Sequence, residues 1–103
     1  MEEFNKIVGK YTIDLTSKFK SDYKKIKKQN KDLRKLAYVI YKLANGEELE
    51  PKYKNHKLID NKKYRDCFEC HITSDWLLVY KIKDNELVLL LFATGTHSSL
   101  FNK

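Results

Sequence analysis

The chain has 103 residues, 21 Lys and Arg against 14 Asp and Glu, a formal charge of +7 and 42% hydrophobic residues, the size and makeup of one domain with one core. Thirteen aromatic residues beside three Gly and one Pro exclude a disordered, linker-like or collagenous chain. The N-terminus lacks the basic and then apolar run of a secretory signal, and the longest apolar run, Leu87 to Ala93, is too short for a membrane span, so a cytoplasmic protein with no membrane partner is expected.

Residues 1–10 are expected to form an N-terminal extension, and 11–103 the single folded domain. Tyr11, Ile13 and Leu15 alternate with Thr12 and Asp14, as in a short strand. Thr16 and Ser17 follow with side-chain oxygens suited to an N-cap. Phe19, Tyr23 and Ile26 recur at helical spacing, and Leu33, Leu36, Ala37, Ile40, Leu43 and Ala44 resume it after a break near Gln29 and Asn30. Gly46 then ends the second helix as a C′ glycine. Between Lys18 and Lys42 stand ten basic and two acidic residues, a local charge of +8, against −1 for the rest of the chain. A pair of basic amphipathic helices is either a solvated face or an electrostatic footprint for a polyanion.

From Glu47 to Lys63 the chain is polar and contains Pro51, which predicts a long loop with little regular structure. Arg65–Ile72, Asp75–Ile82 and Glu86–Thr94 read as three strands, the last two joined by a tight turn at Asp84 and Asn85. Apolar residues on both faces of Trp76–Ile82 and Leu87–Ala93 suit central strands. The order βααβββ predicts an α+β domain with a largely antiparallel sheet and both helices packed on one face.

His56, His71 and His97 all fall in the second half of the chain. Histidine exchanges a proton near neutrality. Cleaving RNA without a metal needs a base for the ribose 2′-OH, an acid for the departing 5′-oxygen and positive charge for the phosphorane. Three histidines and a carboxylate supply that set, although scattered surface histidines would give the same composition. Cys67, Cys70 and His71 spell CFECH, the CxxCH pattern of haem attachment and half of a zinc knuckle. No second pair completes a zinc site. Strand alternation also puts Phe68, Cys70 and Ile72 on one face and Cys67, Glu69 and His71 on the other. Two ordinary thiols, no metal and no cofactor are expected.

Three strings in order carry a family likeness: Asn55-His56-Lys57-Leu58, His71 through Asp75-Trp76 to Lys81, and Thr94-Gly95-Thr96-His97-Ser98-Ser99-Leu100-Phe101. Over Tyr11 to Phe101 the chain resembles the YafQ branch of the RelE toxin superfamily, ribosome-dependent mRNA interferases of type II toxin-antitoxin systems. The resemblance implies a small curved sheet backed by two helices and an endoribonuclease acting on mRNA in the ribosomal A site. It also implies an antitoxin partner, with operator DNA reached only through the antitoxin complex. Carried over by motif, His56, His71, Asp75 and His97 are the catalytic set, with His97 as proton donor or base at the scissile phosphate. Phe101 holds or stacks the substrate, with Trp76 and Arg65 as further substrate contacts. Lys24, Lys25, Lys27, Lys28 and Lys31 of the basic hairpin are expected to bind ribosomal RNA. The chain departs from its relatives in having Ala93 and Phe68 where arginines are common, which leaves a catalytically weak RNA- or ribosome-binding protein as the alternative.

Overall fold

A computed structural model of the chain describes Phe4 and residues 9–101. Residues 1–3 and 5–8 of the expected N-terminal extension, and 102–103, lie outside the described residues. The first strand, β1, covers Thr12–Leu15. Thr16 then uses one hydroxyl twice: Oγ1 accepts the Phe19 N–H at 2.9 Å, capping α1 (Ser17–Lys28), and donates to the Phe92 carbonyl at 2.7 Å. Asp32 caps α2 (Leu33–Ala44), and Gly46, at φ +74°, closes it in a conformation that strains any side chain. α1 buries Phe19, Tyr23 and Ile26; α2 buries Leu36, Val39, Ile40, Leu43 and Ala44. Helical spacing predicts these stripes apart from Val39, which is buried while the expected Leu33 and Ala37 are only partly so.

The polar stretch after α2 is more regular than its composition suggests, with a 3-10 turn at Pro51–Tyr53 and a two-residue strand, β2, at His56–Lys57. β3 covers Phe68–Thr73, starting later than expected. Asn61 Oδ1 takes the Tyr64 N–H and the Tyr64 carbonyl takes the Cys67 N–H, so local bonds displace the sheet ladder there. β4 (Trp76–Lys83) and β5 (Val88–Gly95) are joined by a 3-10 turn at Asp84–Glu86 with Leu87 left-handed, a longer connection than the expected two-residue hairpin. A short helix, α3 (His97–Phe101), follows β5. The expected βααβββ order thus stands, with a small extra strand and a terminal helix added.

The sheet order is β1-β5-β4-β3-β2, with β1 parallel to β5 and the other pairs antiparallel. One face packs Cys70, Ile72, Trp76, Leu78, Tyr80, Leu89 and Leu91 against α1 and α2. The opposite face carries a smaller cluster of Tyr64, Cys67, Leu77, Val79, Ala93 and Leu100. A bulge in β5 decides which residues reach each face: Val79 pairs with Ala93 but Tyr80 with Leu91, leaving Phe92 as the extra residue. Strict alternation would send Ala93 after Leu89 and Leu91 toward the helices. The bulge turns Ala93 to the far face and Thr94 to the helix side. There the Thr94 N–H donates to Asp22 Oδ2 at 3.1 Å and its hydroxyl accepts the Trp76 Nε1–H at 2.9 Å.

Candidate active site

β2 exists to the extent that His56 sits opposite Glu69 of β3. His56 Nε2 lies 2.9 Å from Glu69 Oε1, and Nδ1 lies 2.8 Å from the Lys54 carbonyl. Both neighbours are acceptors, so the two bonds form together when the ring carries both protons. Glu69 is buried, while the His56 side chain is 51% exposed. The ring is therefore held by the fold yet open to a ligand. Sequence reasoning missed Glu69 as a member of the site. Its signal was present in its parity with His71, two residues further along β3, but it was absorbed into the CFECH string.

His71 is half-exposed on the same face and borders a cavity of about 240 Å³ with Lys52, Tyr53, Lys54, Thr73 and Ser74. Asp75 is exposed in the turn between β3 and β4. His97 opens α3, which folds back at once: a Cβ on Gly95 would meet Ser99 Oγ at 2.6 Å, and Thr96 Oγ1 caps the turn by accepting the Ser99 N–H. The helix brings the rings of His97 and Phe101 to 5.1 Å. Phe101 in turn meets the Tyr64 ring edge-on at 5.3 Å, and Tyr64 Oη donates to the Leu100 carbonyl at 2.9 Å. Burial, with the charge of Asp22 secondary, pushes the Tyr64 phenol up to about 12, so it acts as a neutral strut.

His56, His71 and His97 thus share the face away from the long helices, each fastened by a different device: a contact with the Glu69 carboxylate, a strand position and a helix start. Among the described residues no direct hydrogen bond joins them to one another. A bound strand would have to bridge them.

Trp76 does not stand where its motif suggests a substrate contact, and the strand that was expected to carry Arg65 begins only at Phe68. Trp76 is 2% exposed, packs on the helix side and spends its indole N–H on Thr94, because strand alternation points it away from the histidine face. Arg65 is exposed but lies in the turn before β3, lining a crevice of about 560 Å³ with Lys57, Leu58 and Asp60. It therefore neighbours the β2 residue after His56 and has no register with His71. Lys24, Lys25, Lys27 and Lys28 are exposed on α1 and Lys31 follows it, so the basic surface lies on the opposite side of the sheet from the histidines. Ala93 is fully buried and Phe68 stacks on Tyr80 at 5.7 Å.

Cys67 and Cys70 are buried on opposite faces of the sheet. Burial raises both thiols above their ordinary value, Cys70 to about 12, which keeps them protonated and unreactive. Among the described residues no group of three or more His, Cys, Asp or Glu is placed to hold a metal ion, and no helix is long and apolar enough to cross a membrane.

Two solved structures that share this fold are described as toxins or toxin complexes. A metal-bound toxin from Helicobacter pylori superposes with a TM-score of 0.82 at 43% identity, covering 88% of this chain and 99% of that one. The Escherichia coli DinJ-YafQ complex gives 0.79 at 34% identity, covering 88% and 98%. The family model described as "Bacterial toxin of type II toxin-antitoxin system, YafQ" matches residues 11–102. The mRNA interferase toxin YafQ of Escherichia coli (strain B / BL21-DE3) is 38% identical over 91 residues, 86% of this chain and 94% of that protein. The chain belongs to the YafQ family of type II toxin-antitoxin toxins.

Proposed function

We propose that this chain is an endoribonuclease that cuts mRNA on the ribosome and is silenced by a cognate antitoxin. The observation that carries this reading is the gathering of His56, His71 and His97 on the sheet face opposite the basic helix. One side of the sheet then meets a reacting phosphodiester while the other meets a polyanionic scaffold. The relatives' names, an mRNA interferase and a toxin solved with DinJ, support the substrate and the partner.

In the proposed reaction a base removes the 2′-OH proton, the 2′-oxygen attacks the adjacent phosphorus, and an acid protonates the leaving 5′-oxygen. His97, exposed at the start of α3, exchanges the proton at the scissile phosphate. His71 and Asp75 assist proton transfer and placement. His56, held between Glu69 and the Lys54 carbonyl, presents positive charge to the phosphorane when doubly protonated. Phe101, braced by Tyr64, offers a ring for base stacking. The chemistry requires no metal in this scheme.

Inducing the chain in bacteria and mapping mRNA 5′ ends should reveal new termini that the His97→Ala variant does not produce. Cleavage of ribosome-bound mRNA in vitro should persist after the protein, but not the ribosome, is stripped with a chelator. Termini unchanged by His97→Ala would remove the nuclease. Burial of Ala93 and stacking of Phe68 on Tyr80, at the two positions where the family resemblance leads one to expect arginine, favour a second reading, a ribosome binder with weak catalysis, and that outcome would select it.

A further inference from the structure

The segment from Pro51 to His56 is pinned more firmly than its loop composition suggests. The Tyr53 N–H bonds to the Glu50 carbonyl and the Lys54 N–H to the Pro51 carbonyl. Asn55 Oδ1 accepts the Tyr80 hydroxyl at 2.6 Å, and the Lys54 carbonyl meets His56 Nδ1. Lys54 itself is left-handed, at φ 49° and ψ 44°, a conformation that glycine or asparagine adopts more cheaply. Lys52 Nζ rests 5.2 Å from the centre of the Tyr53 ring. The turn therefore holds two lysines on a fixed frame against the end of β3.

We propose that the cavity between this turn and β3 is a phosphate-binding subsite for the RNA strand, lying beside the catalytic histidines. This rests on the reading of the chain as a ribonuclease. The lining consists of Lys52, Tyr53, Lys54, His71, Thr73 and Ser74: two ammonium groups, an imidazole and three hydroxyls, with no carboxylate. That donor set suits an anion, and phosphate oxygens accept from every one of these groups. A volume of about 240 Å³ is below the range of drug-sized ligand sites and suits a phosphate with its sugar. The subsite also answers a deficit in the site. Ala93 is buried and Phe68 is stacked on Tyr80, so neither position brings a cation to the histidine face, whereas the Pro51–Tyr53 turn and its cap residue bring Lys52 and Lys54. Left-handed strain at Lys54 is explained if its side chain is retained to meet this anion.

The test titrates the chain with a 2′-O-methyl RNA trinucleotide, which has no free 2′-OH and cannot be cut, and with the same trinucleotide carrying uncharged methylphosphonate linkages. Backbone amide resonances of His71, Thr73 and Ser74 should shift with the phosphodiester and not with its neutral counterpart. Lys52→Gln combined with Lys54→Gln should weaken binding about tenfold. It should also flatten the slope of log affinity against log salt by about 0.7 for the one phosphate no longer neutralised. Lys54→Gly, which removes the side chain and relieves the left-handed backbone, should also weaken binding while melting no lower than the parent. Equal binding of the two trinucleotides, or lysine variants with unchanged affinity and slope, would overturn the subsite. Cleavage of ribosome-bound mRNA by the unchanged chain is measured in parallel: its absence overturns the ribonuclease reading, while lysine-independent binding strikes the subsite alone.

Discussion

Replacing Asp22 by alanine removes a buried carboxylate that accepts the Thr94 N–H at 3.1 Å and pairs with Lys18 Nζ at 3.2 Å. Thr94 is 2% exposed, so water cannot take over the orphaned N–H, and an unsatisfied buried donor costs about 1–3 kcal/mol. The Lys18 side chain is 34% exposed, and the ion pair adds at most about 1 kcal/mol after solvent screening. Relief from holding a charge in the interior offsets part of this sum, leaving a net loss of about 1–3 kcal/mol. For a chain of this size each kcal/mol moves the thermal midpoint by about 4–8 °C, so Asp22→Ala should melt about 5–20 °C below the parent. Asp22→Asn keeps an oxygen facing Thr94 and should lose less than about 1 kcal/mol. Thr94 lies three residues before His97, so cleavage measured where both variants are folded should fall further for Ala than for Asn. Thermal unfolding followed by circular dichroism at neutral pH reads the first effect. An Asp22→Ala midpoint within about 2 °C of the parent, a fraction of the shift worth 1 kcal/mol, would refute the reasoning.

Burial raises the proton affinity of Cys67, Cys70, Tyr64 and Tyr80, with Cys70 and Tyr64 reaching about 12. The unfolded chain releases these protons from about pH 8.5 to 10 while the folded chain keeps them. Stability is therefore full below that range and lost as pH climbs toward about 12, and a thermal midpoint that stays level between about pH 8 and 11 would contradict this assignment. Changing Lys24, Lys25, Lys27 and Lys28 to glutamine should flatten the salt dependence of ribosome association by about 0.7–0.9 for each phosphate that α1 then leaves unneutralised. The same change should leave the pH profile of cleavage unmoved, since these lysines lie across the sheet from the histidines. An unchanged salt slope in sedimentation would show that α1 does not touch ribosomal RNA.

The helices and three main strands were legible because their apolar residues repeat with one period over enough residues to exclude the other. Thr16, Asn30 and Gly46 marked the helix ends through chemistry that acts locally. β2 was not legible: His56 and Lys57 have no apolar partner pattern, and the strand arises from the Glu69 contact across 13 residues of chain. The bulge at Phe92 escaped for a related reason, since a run of Leu89, Leu90, Leu91 and Phe92 is apolar on both faces and carries no parity to read. Trp76 reads as a substrate contact because its motif neighbours do, yet adjacent strand residues face opposite ways. The site histidines were visible as residue types, but Glu69, Tyr64 and the Lys52–Lys54 turn became part of the site only through long-range contacts.

The placement of β5 governs the order in which the molecule can be finished. β5 fills the gap between β1 and β4, so the partner of the first strand lies more than 70 residues along the chain, with Thr12 beside Val88. α1 packs over that same strand, and the Thr16 cap and the Asp22 carboxylate both bond to it. A nascent chain grown as far as Lys83 holds β1 and α1 with no surface to receive them and β4 with one edge bare. Closing so long a loop is entropically costly and slow, and the segment that closes it runs directly into His97. The strand that completes the sheet is therefore also the one that sets the third histidine in place.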